Sequence, residues 1–66
     1  MIIHLNGLKE SIADDLTVSD LIEWAREGDP DLIVEVNGRY VFPNNYEKYK
    51  IQSNDRVEFI NPNLGG

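Results

Sequence analysis

The chain has 66 residues and a formal net charge of −6, from 12 acidic and 6 basic side chains. A chain of this length forms one domain with a small core, which argues against an enzyme with a deep active site of its own. Phosphate contacts need clustered Lys and Arg, so the acidic balance argues against nucleic acid as a partner. An acidic surface promotes solubility and can also steer a protein toward a basic partner.

The sequence contains no cysteine, so it has no disulfide, thiolate nucleophile or thiolate metal ligand. No apolar run approaches the ~20 residues of a membrane span, and residues 1–5 lack the pattern of a secretory signal. We therefore expect a cytoplasmic protein with no membrane partner and no metal site. His4 is the single histidine, and we interpret it as an outward strand residue; titration near neutral pH is the alternative.

Alternating and β-branched patterns predict most of the chain to be strand. The predicted strands cover residues 1–5, 8–13, 32–37, 39–42 and 56–60. Asn6-Gly7 and Asn37-Gly38 predict two-residue hairpins, because Asn and Gly tolerate the positive φ of a type I′ turn. The polar second strand is predicted to be an edge.

A single helix is predicted over residues 18–27. Thr17 is suited to the N-cap, and Asp20 places negative charge in the first turn. Gly28 is the predicted C-cap, with a proline two residues later as a stop. Trp24 is expected at the rim of the core, a partner-facing position being the alternative.

The element order predicts a two-layer α+β domain, in which one helix covers a mixed sheet of four to five strands. With the first and last strands parallel and central, this is the β-grasp (ubiquitin-like) arrangement. Core positions are predicted on both layers and in two connections. They are Met1, Ile3, Leu5, Ile12, Val18, Leu21, Ile22, Val34, Val36, Ile51, Val57 and Phe59.

The last six residues differ in character from the rest of the chain. Pro62 favours an extended path, and Gly65 and Gly66 lack a Cβ, so a thin tail is predicted. We expect residues 1–60 to form the domain and residues 61–66 a flexible tail. The simpler alternative is an ordinary frayed terminus.

Several segments together resemble the ThiS-like sulfur carriers of thiamine biosynthesis, and they cover nearly the whole chain. These segments are MIIHLNG, TVSDLIEWA, VEVNGRYVFP, NDRVEFINP and the final Gly-Gly. The small subunits of molybdopterin synthase and the ubiquitin-related modifiers share the fold and the glycine end. Tails in the ThiS-like family often have small residues before two or three glycines, whereas here Pro62, Asn63 and Leu64 precede only two.

The resemblance implies that this chain is a substrate of partner enzymes and not itself an enzyme. An E1-like adenylyltransferase similar to ThiF would use ATP to adenylate the carboxylate of Gly66, with Gly65 giving access. A persulfide donor would then supply sulfur to form a thiocarboxylate, and a thiazole synthase similar to ThiG would take the sulfur. The chain would need no cofactor of its own and would be a monomer when free.

Three alternatives remain open: a sulfur carrier for molybdopterin synthesis or another pathway, a β-grasp interaction module with an incidental Gly-Gly end, and a modifier that is joined to lysine. For partner binding we expect contacts from Ile2 and Ile60, which we predict to lie side by side on the helix-free face. The tail residues Pro62, Asn63 and Leu64 would contribute as well. Scattered surface aliphatic residues are also normal in soluble proteins.

Overall fold

The computed structural model describes residues 1–63, which form a five-stranded sheet and one α-helix within that range. In chain order the elements are β1 (Ile2–Leu5), β2 (Leu8–Ser11), α1 (Val18–Trp24), β3 (Ile33–Val36), β4 (Arg39–Val41), a 3₁₀ turn (Pro43–Asn45) and β5 (Arg56–Ile60). No helix in the described part of the chain could cross a membrane, since α1 has only seven residues.

The strand order across the sheet is β2-β1-β5-β3-β4. β1 and β5 are parallel, and the β1–β2, β3–β4 and β3–β5 pairs are antiparallel. The predicted edge position of β2 and the predicted parallel pairing of the first and last strands are both confirmed. Because β5 lies at the centre of the sheet, the segment after Ile60 leaves from the middle of the sheet's end.

Both predicted hairpins have two-residue turns with positive φ angles. The angles are 51° at Asn6, 81° at Gly7, 53° at Asn37 and 80° at Gly38, as a type I′ turn requires. The two asparagines also satisfy donors of the central strand. Asn6 Oδ1 accepts from the Phe59 N–H at 2.7 Å, and Asn37 Oδ1 accepts from the Arg56 N–H at 2.9 Å. The two turns therefore also fix the position of β5.

The helix begins where predicted and ends earlier. Thr17 is the N-cap and forms a capping box with Asp20. The predicted C-cap at Gly28 is wrong, because the helix stops at Trp24 with Ala25 as the C-cap. Arg26 then takes the left-handed conformation, with φ of 55°.

Backbone hydrogen bonds explain this early end of α1. Arg26 N–H donates to the Glu23 carbonyl and Glu27 N–H to the Ile22 carbonyl, each at 3.0 Å. These two bonds form a Schellman motif, which satisfies the last helical carbonyls. An arginine thus takes the position that glycine usually occupies, and Glu27 is turned out of the helix.

We expect Thr17→Ala to lower the free energy of unfolding by about 1 kcal/mol at neutral pH. The pKa of Asp20 lies below its ordinary value because Thr17 donates to the carboxylate, first through its backbone N–H and then through its side chain. A lowered folded-state pKa adds stability above the unfolded-state pKa, and that stability is lost as pH falls through the folded-state value. The alanine variant keeps the Thr17 backbone N–H and loses the Oγ1 that accepts from the Asp20 N–H. Urea denaturation should therefore show a difference in unfolding free energy that narrows only in part in acid, by the contribution of the side-chain bond to the carboxylate. Equal unfolding free energies of parent and variant at neutral pH would contradict this view of the cap.

The predicted core is confirmed, except that Met1 and Ile22 are only partly buried at its margin. The buried apolar residues are Ile3, Leu5, Ile12, Val18, Leu21, Val34, Val36, Val41, Ile51, Val57 and Phe59. The rim position predicted for Trp24 is wrong, since 47% of that residue is exposed and it lies outside this packed set.

A buried carboxylate that was not predicted from the sequence lies directly before β5. Asp55 is 8% exposed, and its Oδ1 accepts from Asn37 Nδ2 at 2.9 Å. Its Oδ2 accepts from the Gln52 N–H at 2.8 Å. These bonds satisfy the buried charge and join the β3–β4 turn to the last strand.

Candidate docking face and tail root

The face of the sheet opposite α1 is the first part of the candidate site. Along β5, Val57 and Phe59 are buried while Arg56, Glu58 and Ile60 are exposed. This alternation follows from the two-residue period of a strand with one face on the core. Ile60 is therefore an exposed aliphatic residue immediately before the tail, as predicted.

Ile60 belongs to a group of apolar side chains that crosses three strands. It pairs directly with Ile33 on β3. Val34 pairs with Val41, so Ile33 lies opposite Phe42 just beyond the end of β4. Phe42 is 62% exposed, and its ring makes an edge-to-face contact with Tyr40 at 4.7 Å between centroids. We call Ile33, Tyr40, Phe42 and Ile60 the apolar patch.

The predicted neighbourhood of Ile2 and Ile60 is wrong. His4 pairs with Arg56 in the parallel β1–β5 ladder, and the Ile2 carbonyl accepts from the Asn54 N–H at 2.7 Å. Ile2 is thus level with the start of β5, six positions and roughly 20 Å from Ile60 along the strand. In this parallel register the beginning of β1 lies beside the segment just before β5, so Ile2 does not adjoin Ile60 at the end of β5. Ile2 is also only partly exposed, and its role in partner binding stays a prediction.

Two glutamates lie beside the apolar patch. Glu35 and Glu58 pair directly across β3 and β5, and neither forms an ion pair within residues 1–63. With Asn37, Gly38 and Arg56 they line a shallow depression of about 430 Å³. Like charges directly opposite each other in a sheet repel. Arg56 lines the same depression and carries the opposite charge, which offsets part of that repulsion.

The tail root, residues 61–63, is the second part of the candidate site. Asn61 is partly buried and Pro62 and Asn63 are exposed. Asn61 Nδ2 donates to Glu27 Oε1 at 3.2 Å and to Asp29 Oδ2 at 3.1 Å, and Asn63 Nδ2 donates to Asp31 Oδ2 at 2.6 Å. These contacts with the α1–β3 loop were not predicted.

The remaining predicted site residues, Leu64, Gly65 and Gly66, lie outside the described residues. The mobility predicted for residues 61–66 and the domain boundary after residue 60 stay predictions. Within residues 1–63, no three His, Asp or Glu side chains are grouped as metal ligands.

The topology and the exposed face define the class of protein. A mixed sheet with parallel central strands and one helix across one face is a β-grasp domain, as predicted. The chain belongs to the ThiS family, whose family model matches residues 3–66.

Two solved structures support this assignment. One is the crystal structure of the thiamine biosynthesis protein ThiS from Geobacter metallireducens. It aligns with a TM-score of 0.87 and 25% sequence identity, over 100% of both chains. The other is an NMR solution structure of a thiamine biosynthesis protein from the same organism. It has a TM-score of 0.82 and 25% identity, over 100% of this chain and 87% of that one. No curated protein matched the sequence.

Proposed function

We propose that this protein is a sulfur carrier of thiamine biosynthesis, whose Gly66 carboxylate is converted to a thiocarboxylate. The observation that carries the proposal is the ThiS family match, which extends through the Gly-Gly end at residue 66. The two similar structures, both of thiamine biosynthesis proteins, support the same pathway.

The proposed chemistry makes an inert carboxylate reactive in two steps. A carboxylate oxygen of Gly66 attacks the α-phosphate of ATP, which forms an acyl adenylate and releases pyrophosphate. The terminal sulfur of a donor persulfide then attacks the carbonyl carbon and displaces AMP. A donor thiol cleaves the resulting acyl disulfide, which leaves the thiocarboxylate on this chain and a disulfide on the donor. Gly65 and Gly66 have no Cβ to obstruct either attack.

In this proposal the chain is a protein substrate, and the catalytic groups belong to its partners. An E1-like adenylyltransferase similar to ThiF would bind the ATP, so this chain would need no cofactor. The persulfide donor and a thiazole synthase similar to ThiG would act after it. We place the free protein in the cytoplasm as a monomer.

The apolar patch is the proposed docking surface for the adenylyltransferase. It lies where β5 ends, so a partner that covers it is also beside the first residue of the tail. Apolar side chains at the centre of an interface contribute most of the binding energy. The neighbouring Glu35 and Glu58 favour a partner with basic side chains at this place. Pro62, Asn63 and Leu64 would contact the partner along the path of the tail.

We expect Ile60→Asp to weaken binding to the adenylyltransferase by about tenfold or more, because it places a charge in an apolar contact. Ile60 is 39% exposed, so the fold should remain intact. Isothermal titration calorimetry would measure the affinity, and circular dichroism the melting temperature.

Leu8→Asp is the matched control for this prediction. Leu8 is an exposed aliphatic residue on β2, the edge strand farthest from β4. Its substitution should leave the affinity unchanged. Equal affinities for the parent and Ile60→Asp would exclude the apolar patch as the docking surface.

The proposed function is tested by the intact mass of the protein purified after coexpression with its adenylyltransferase and sulfur donor. A sulfur carrier would show a species in which one oxygen is replaced by sulfur. An interaction module would show only the unmodified mass, and a modifier would appear joined to other proteins; either result would overturn the proposal.

A further inference from the structure

The contact between the tail root and the α1–β3 loop contains a side chain with two charged acceptors. Asn61 Nδ2 lies 3.2 Å from Glu27 Oε1 and 3.1 Å from Asp29 Oδ2, so both amide protons have carboxylate acceptors. Hydrogen bonds to ionised acceptors are about twice as strong as neutral ones. Partial burial of Asn61 shields these bonds from competing water.

The acceptor carboxylates are held in place by their own loop. Glu27 Oε1 accepts from the Asp29 N–H at 3.1 Å, and Asp29 Oδ1 accepts from the Asp31 N–H at 2.8 Å. Glu27 is itself placed by the Schellman motif that ends α1 early. Helix end, loop and tail root therefore form one connected set of hydrogen bonds.

The chemistry of the loop favours an uncharged donor at position 61. Three carboxylates, those of Glu27, Asp29 and Asp31, lie along one side of the tail root. An aspartate at position 61 would be repelled by two of them, and an alanine would offer no donor. Asparagine supplies two N–H groups and no charge.

We propose that Asn61 is a positioning residue: it anchors the tail root to the α1–β3 loop and so sets the direction in which the tail enters the adenylating partner. The inference rests on the proposed function, in which the Gly66 carboxylate must reach the α-phosphate of ATP. Fixing the backbone of a residue costs conformational entropy, and here part of that cost is met before the partner binds. For the adenylyltransferase acting on this protein, binding through the apolar patch determines KM, whereas the direction of the tail determines kcat.

The kinetic test is ATP–pyrophosphate exchange by the adenylyltransferase at varied concentrations of this protein. Asn61→Ala should lower kcat about tenfold and change KM less than twofold. The fall in kcat corresponds to the conformational entropy of fixing the backbone of one residue, which the variant must lose during the reaction. Asn61→Asp should lower kcat further. Ile60→Asp should show the opposite division, with KM raised. A change in KM alone for Asn61→Ala, or no change at all, would overturn the positioning role.

A rescue variant and a control separate positioning from general damage to the tail. Combining Asn61→Asp with Glu27→Gln and Asp29→Asn moves the amide donors to the loop and the acceptor to the tail, and kcat should recover. Gln52→Ala removes an exposed amide near the other end of β5 and should leave kcat unchanged. Failure of the rescue, or an equal loss in Gln52→Ala, would contradict the proposal.

NMR relaxation of the free protein tests the anchor without any partner. The anchor replaces, for Asn61, the mobility that the sequence predicted from residue 61 onward. The backbone ¹⁵N heteronuclear NOE of Asn61 should therefore match that of β5 in the parent and fall in Asn61→Ala. Low values for Asn61 in the parent would overturn the anchor and leave the sulfur-carrier proposal standing. High values together with no exchange by the parent would overturn both the proposed function and the positioning role.

Discussion

Phe59→Ala should leave much of the protein unfolded at room temperature. Phe59 is 7% exposed, pairs with Val34 in the centre of the sheet and belongs to the buried core. Truncation of a buried phenylalanine costs about 3–5 kcal/mol. A domain of this size has a total stability of about 5 kcal/mol. The expected loss is therefore comparable with the total free energy of unfolding of the protein.

Circular dichroism in a urea titration would measure this loss, and Phe42→Ala is its matched control. Phe42 is 62% exposed on the opposite face, so its truncation should change the free energy of unfolding by about 0.5 kcal/mol or less. Similar midpoints for the parent and Phe59→Ala would mean that the last strand does not direct Phe59 into the core.

Deleting Gly65 and Gly66 should leave the stability of the protein unchanged, unlike Phe59→Ala, and should abolish its adenylation. The buried core residues lie between positions 3 and 59, so the deletion removes none of them. The melting temperature should remain within about 2 °C of the parent value. The truncated chain would end in Leu64, whose side chain and displaced carboxylate should prevent adenylation and thiocarboxylate formation.

Thermal denaturation and intact mass, measured on the same preparations, would test both parts of this prediction. A truncated chain that acquired sulfur like the parent would show that the reacting group is not at Gly66. A large fall in melting temperature would show that the tail contributes to the core.

Local patterns predicted most of the fold because the forces behind them act over a few residues. The two Asn-Gly turns follow from the positive φ that their hairpins need, and the capping box needs only Thr17 and Asp20. The inward positions of β5 follow from strand alternation. The end of α1 was predicted wrongly because glycine is the residue that most often follows a helix end, and Gly28 was the nearest glycine. Here Arg26 takes the left-handed conformation instead, at a cost of about 1–2 kcal/mol.

The candidate site was harder to predict because it depends on strand register and on contacts distant in sequence. Ile60 could be assigned to the outer face, but its neighbour across the sheet is Ile33 and not Ile2. The alternation of inward and outward residues predicts the face on which Ile60 lies, but it does not predict which strand residue pairs with it. The bonds of Asn61 span 34 and 32 positions in the chain, and no local pattern connects an asparagine in a tail with carboxylates at a helix end.

The Gly66 carboxylate is the group that we propose the partner activates, and ATP–pyrophosphate exchange tests this proposal most directly. The assay compares the parent, the chain lacking Gly65 and Gly66, and the chain extended by one alanine after Gly66. The extension displaces the carboxylate by one residue and places a methyl group beside it. We predict exchange with the parent and none with the other two chains. Equal exchange with all three chains would show that the Gly66 carboxylate is not the reacting group.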